Sequence, residues 1–157
     1  MRERKYRAFV KQCNKMIYSE NSYPKGNSDY RFVASEDHKK GLGVEYFTSR
    51  TEYVNQYGGV VLLPDWRVFT DEEAPVTEYT GLKDKNGREI WEGDIRKDGW
   101  GRKFKVVYDN DLAAFYGEYI NGPSESLADC GPDSEYLGTV FENPDLLEAA
   151  SANKEEL

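Results

Sequence analysis

Bulky and polar residues alternate over Tyr6-Arg-Ala-Phe-Val10, and Met16-Ile-Tyr18 follows the turn-like Cys13-Asn-Lys15, so the chain is predicted to open with a β-hairpin. Ser19 to Lys40 is rich in Asn, Ser, Gly and Lys, a composition that favours loop, with Tyr30-Arg-Phe-Val33 as its one strand candidate. Gly43-Val-Glu-Tyr-Phe47 and Gly59-Val-Val-Leu-Leu63 predict two further strands. The second should stop at Pro64, which has no N–H to give to a ladder. Between Thr70 and Thr77, the acidic segment Asp71-Glu-Glu-Ala-Pro75 reads as a linker to a denser second half.

In that half, Asp84-Lys-Asn-Gly87 is a strong turn signal: the Asp carboxylate can bond the amides ahead of it, and Asn-Gly supplies the positive φ of a tight reversal. Glu92-Gly-Asp94 predicts a second turn that feeds Ile95-Arg-Lys97. Phe104, Val106 and Tyr108 alternate with Lys103, Lys105 and Val107 as a half-buried strand. Ala113 to Ile120 gives the next, with a bulge or bend expected at Gly117, and Tyr136 to Phe141 the last. Asn143 can cap a short helix, with Pro144 at its first position and Leu146-Leu147 sealing onto a barrel mouth. Short strands at this spacing predict a mostly β protein: a small barrel-like domain with a loop-rich N-terminal half and a short C-terminal helix.

Length and composition agree with that picture. The chain has 157 residues, enough for one core but short for two independent ones, and a 14% aromatic share favours strands. The charged N-terminus leads into no apolar leader region, and Val60-Val-Leu-Leu63 is too short to span a bilayer, so a cytoplasmic protein with no membrane association is expected. Cys13 and Cys130 have neither CxxC spacing nor an adjacent histidine, which fits reduced structural thiols.

The net charge of -8 opposes general attraction to polyanions. It is unevenly spread. Arg2, Arg4, Lys5, Arg7, Lys11 and Lys15 crowd the start, whereas Lys154 is the sole base after Asp109. The two ends either neutralise one another, in the fold or between subunits, or the second half presents an acidic binding face.

Catalytic chemistry is hard to assemble. His38 is the only histidine and falls in the loop-like stretch, where a solvated side chain is expected; two-histidine metal sites are excluded. Asp84-Lys-Asn-Gly87 has the wrong register for a calcium loop, since its Gly comes too soon. Glu89, Glu92 and Asp94 can form a carboxylate cluster, but nothing else converges on it. No phosphate-cradling GxxxxGK[ST] sequence occurs, and no cofactor or metal is implied. The most distinctive surface candidate is Arg96-Lys-Asp-Gly-Trp-Gly-Arg-Lys103. It sets Trp100 on a hairpin tip with Arg96, Lys97, Arg102 and Lys103 around it, where the indole either stacks on a base, fills a pocket on a protein, or folds back over the barrel rim. Trp91 has the same choice.

Tyr79-Thr-Gly-Leu-Lys-Asp-Lys-Asn-Gly-Arg-Glu-Ile-Trp-Glu-Gly-Asp-Ile95 resembles the signature block of the YopX family. Gly138-Thr-Val-Phe-Glu-Asn-Pro-Asp-Leu-Leu147 is similar to its C-terminal motif, and Arg2-Glu-Arg-Lys-Tyr-Arg-Ala-Phe9 to its start, with Phe9 and Val10 where a Trp-Asp pair is common. The resemblance implies a β-barrel-like fold and a phage or prophage protein acting in the host cytoplasm, and it implies no reaction. On that reading, residues 1–147 form one such domain, with a variable part at 19–78 and a signature-bearing barrel at 79–147, and 148–157 form a tail. The signature itself has a structural explanation: Gly81, Gly87 and Gly93 permit turns, Leu82, Ile90 and Ile95 supply core, and Asp84 and Asp94 bond local amides.

The expected role is a non-catalytic binding or accessory module for a host or phage protein. The alternatives are a nucleic-acid-binding barrel using Trp100, an acidic DNA mimic using Asp129, Asp133 and Glu135, and a protein that assembles with itself through opposite-charge ends or exposed strand edges.

Overall fold

A computed structural model describes residues 4–26 and 28–147. The predicted tail at 148–157 and the first residues of the basic N-terminus lie outside this range. The described chain is mostly β, and it divides into two compact units, one over Lys5–Thr77 and the other over residues 78–147 with Arg4.

The first unit opens with the expected hairpin, β1 (Tyr6–Val10) against β2 (Lys15–Tyr18), with Arg7 opposite Tyr18 and Val10 opposite Lys15. A 3-10 turn over Lys11–Cys13 and a left-handed Asn14, at φ 54°, make the reversal; Asn tolerates that conformation better than most residues. Strands β3 (Tyr30–Ala34), β4 (Leu42–Val54) and β5 (Val60–Val68) form an antiparallel sheet in that order. The core gathers Ala8, Val10, Ile17, Val44, Phe69, Ala74 and Val76, with Tyr46 stacked on Phe69 at 4.5 Å.

Two expectations fail in this unit. Strand β5 does not stop at Pro64 but runs on to Val68. The reason is a bulge in its partner: the register passes from Thr51 opposite Leu63 to Thr48 opposite Asp65, so the ladder is already interrupted where Pro64 has no N–H to offer. The acidic segment is not a linker either. Thr70 and Glu73 cap one another, with each side chain accepting the other's amide, and Ala74 is buried in the core.

The second unit begins in β6 (Val76–Lys83), which pairs with β7 (Glu89–Trp91). Their connection is the predicted turn. Asp84 Oδ1 accepts the amides of Asn86 and Arg88 at 2.9 and 3.0 Å, and Gly87 sits at φ 82°. After Trp91, Asp94 Oδ2 accepts the Trp91 amide at 2.9 Å and closes the second turn. A five-stranded antiparallel sheet then follows in the order β11-β10-β9-β8-β12, built from β8 (Asp94–Lys97), β9 (Lys103–Asp109), β10 (Ala114–Tyr119), β11 (Glu125–Ser126) and β12 (Glu135–Thr139). This sheet curls into a half-barrel with open edges. Ile90, Phe104, Val106, Phe115, Tyr119, Leu127 and Cys130 form the core cluster of this unit.

Gly117 is neither a bulge nor a bend, because β10 runs past it in unbroken register against β9. It is a glycine because a Cβ there would lie 2.6 Å from Cys130 Sγ and 2.8 Å from the Phe104 ring. The thiol comes from α1 (Leu127–Cys130), a single turn of helix that the polar pattern of the sequence does not announce. Residues 145–147 are helical as expected, with Leu146 and Leu147 half-buried. The Asn143 side chain does not cap that helix, however. Its Oδ1 turns back to accept the Thr139 amide at 3.3 Å and fills the space above Gly138, at the β12 bulge.

Candidate binding site

Strands β8 and β9 end at Lys97 opposite Lys103, and the tip between them is built around one carboxylate. Asp98 Oδ1 accepts the amides of Trp100 and Arg102, each at 2.9 Å, while Oδ2 accepts Arg102 Nε and the Tyr119 hydroxyl, also at 2.9 Å. Gly101 supplies the positive φ, at 83°. Burial works to raise the Asp98 carboxyl, but the two amides, the Tyr119 hydroxyl and the Arg102 side chain outweigh it and hold the group below the ordinary carboxylate range. Burial and the same Asp98 contact push the Tyr119 hydroxyl up, so it stays a protonated donor. Arg102 also lies over the Tyr119 ring, 4.7 Å from its centroid.

The consequence is a rigid tip that carries an exposed indole. Trp100 is 86% exposed, so it does not fold back over the barrel rim. Beside the tip is a pocket of about 350 Å³ lined by Arg102, Lys103, Tyr119, Asn121, Pro123 and Glu125. The exposed indole thus stands next to a hollow lined by both polar and apolar side chains.

The predicted basic patch around Trp100 does not assemble. Arg96 is fully buried: its guanidinium reaches Asp84 Oδ2 at 2.5 Å, Ser134 Oγ at 2.6 Å and the Ser134 carbonyl at 3.2 Å, with Asp94 at 3.8 Å. Strand β8 lies between β9 and β12, and both of its faces are covered. Lys97 pairs with Glu135 at 3.7 Å, Arg102 is bound to Asp98, and Lys103 is half-buried. Trp91 is buried against Tyr79, with ring centroids 5.6 Å apart.

The remaining candidates resolve into structural contacts. His38 is half-buried and held by two hydrogen-bond contacts rather than free in solvent. Nε2 donates to the Phe69 carbonyl at 2.7 Å, and Nδ1 lies 2.6 Å from the Ser35 hydroxyl. Asp94 is occupied by the Trp91 amide and the Arg96 charge, and Glu92 Oε1 accepts the Glu78 amide, so the carboxylate trio does not converge. Among the described residues, no group of His, Cys, Asp or Glu is placed to hold a metal. Cys130 is buried, and its thiol is pushed up to about 11 by burial and then by Glu125, which makes it a packing group. Asp129, Asp133 and Glu135 are exposed along α1 and the segment after it.

The sequence reading missed a second surface. Strands β4 and β5 extend past the core of the first unit as a two-stranded arm with Val54, Tyr57, Val60, Leu62 and Leu63 exposed. The unbroken apolar run Val60-Val-Leu-Leu63 was the available signal, since an ordinary half-buried strand alternates.

An all-β protein of two compact units, with large apolar side chains exposed at two hairpin tips, is the class these features define. The chain belongs to the YopX protein family, which it matches over residues 5–148. It is also similar in fold to a solved structure, the crystal structure of protein EF1440 from Enterococcus faecalis, with a TM-score of 0.55 and 20% sequence identity over 94% of this chain and 99% of that one. No curated protein matches the chain. Among the described residues, no helix is long and apolar enough to cross a membrane.

Proposed function

We propose that the protein is a non-catalytic binding module that engages another protein, of phage or host origin, through the Trp100 hairpin. The observation that carries this reading is an almost fully exposed tryptophan on a tip that Asp98 fixes with four hydrogen bonds. A pre-organised anchor loses little entropy on docking, which is where a single side chain contributes most to affinity. The charge around the tip favours a protein over a nucleic acid. Arg96 is unavailable, Lys97 and Arg102 are paired with acids, and Glu125 lines the adjacent pocket. Backbone phosphates require the opposite balance.

The test is affinity capture from bacterial lysate with wild-type protein and Trp100→Ala, each with and without nuclease. The reading expects a stoichiometric, nuclease-resistant partner whose affinity for the Ala variant is weaker by roughly tenfold or more. A partner lost on nuclease treatment would transfer the site to nucleic acid, and one held equally by both proteins would remove Trp100 from the interface.

A further inference from the structure

We propose that the distal part of the β4–β5 arm is a homotypic interface, at which two copies of this chain pair antiparallel through the Val60–Leu63 edge of β5. Residues 53–63 contain no charged side chain, in a chain that is 32% charged overall. Two copies, each at -8, repel one another over most of their surfaces, and this neutral stretch is where they meet at the lowest electrostatic cost.

The register fixes which side chains share a face. Thr51 is opposite Leu63 and Tyr53 opposite Val61, while Glu52 is opposite Leu62 and Val54 opposite Val60. Cross-strand partners project to the same side, so one face carries Tyr53, Val61 and Leu63 and the other Val54, Val60 and Leu62. The first face is apolar apart from the buried Thr51 and the second apart from Glu52 at its inner end, and the apolar side chains are exposed by 38 to 46% on the first and 55 to 73% on the second. Edge pairing sets the Val60 to Leu63 side chains of one copy beside those of the other on each face, so a strand apolar on both faces gains cross-strand contacts on both.

Strand β5 is also an edge of its sheet, guarded along only part of its length. Pro64 has no N–H, and the Trp66 amide is taken by Asp65 Oδ1 at 2.8 Å, so the inner half offers little to a new strand. Val60 to Leu63 has neither guard. Pairing this segment with its own copy is two-fold symmetric and self-complementary, and it would extend the three-stranded sheet to about six strands. Tyr53, Val54, Tyr57 and Val60 to Leu63 together expose on the order of 800 Å² per copy, an upper limit on the apolar area that edge pairing can cover.

Sedimentation velocity of the full chain across a wide concentration range tests the pairing. A dimer of the 18.1 kDa chain is expected, tightened or unchanged by added salt, whereas an interface between the oppositely charged ends would loosen. Val60→Lys with Leu62→Lys should raise the dimer dissociation constant more than about tenfold without lowering the melting temperature measured at dilutions where wild type is monomeric, since both positions are exposed in the monomer. Trp100→Ala should dimerise as wild type does, which separates this surface from the hairpin site. Should the double lysine variant fold poorly, hydrogen exchange on the wild-type chain replaces it: amides 60–63 should gain protection with concentration. A monomer at every concentration, a dimer indifferent to the lysines, or a dimer that leaves amides 60–63 unprotected would overturn the proposal.

Discussion

Arg96 shows how a single residue escapes a sequence reading. Asp94-Ile-Arg-Lys97 precedes a glycine-rich tip, and charged residues beside a tip are ordinarily solvated. What buries Arg96 is a set of partners at distant positions, Asp84 twelve residues before it and Ser134 thirty-eight after, which no local pattern reveals. By contrast, the role of Asp84 in its own turn was legible, because an Asp-x-Asn-Gly spacing dictates which amides its Oδ1 can reach. Only its second oxygen, spent on Arg96, was hidden. A buried ion pair is held together more by the cost of breaking it than by its net contribution. Asp84→Ala or Arg96→Ala should each cost roughly 3–5 kcal/mol in urea unfolding, while Asp84→Leu with Arg96→Met should cost less than the sum of the two but recover only part of the loss, because Asp94 and the Asn86 and Arg88 amides lose partners as well. A double variant as unstable as the sum of the single ones would show that the two charges are not coupled.

Among the elements, turns and strand cores were readable, and departures from regularity were not. The hairpins at Asn14 and Asp84 to Gly87 formed where Asn and Gly permit positive φ. The extension of β5 through Pro64 depended on a bulge in β4, which is a property of the pair and not of either sequence. Gly117 is the clearest such instance. A glycine inside a strand signals either a bulge or a close approach, and the choice is made by Cys130, which arrives on an unannounced turn of helix. The two readings predict opposite responses to Gly117→Ala. At an uncrowded strand position the added methyl would stabilise by restricting the unfolded chain. Against the Cys130 sulfur and the Phe104 ring, it should destabilise by about 1–3 kcal/mol. Paired with Cys130→Ala, part of the loss should return, because the smaller side chain vacates the contested space. A neutral or stabilising Gly117→Ala, measured by urea titration, would mean that the β10–α1 contact yields easily.

At the scale of the whole molecule, composition gave the fold class but concealed how the charge is used. The chain is acidic overall, yet several of its carboxylates, Asp84 and Asp98 foremost, are built into the second unit as hydrogen-bond acceptors. Burial works to raise Asp84, but the Arg88 amide, the Arg96 guanidinium and the Asn86 amide outweigh it and hold the carboxyl below its ordinary value; Asp98 is held low in the same way by its own set of donors. A carboxylate lowered in the folded state contributes stability that is fully present above its unfolded value, near 3.9, and is lost as pH falls through the lower folded value. Asp65, in the first unit, is lowered as well, through Tyr53 and the Trp66 amide, but water screens that exposed pair and it should add little. The urea midpoint should therefore stay nearly level from pH 7 to about 5 and drop below about 4. Asp98→Asn keeps the acceptor oxygen but removes the titrating group, so it should lower stability at neutral pH and flatten the acid slope. An acid slope identical in Asp98→Asn and wild type would show that the hairpin carboxylate carries no linkage, and would weaken the case that this charge is what holds Trp100 in place.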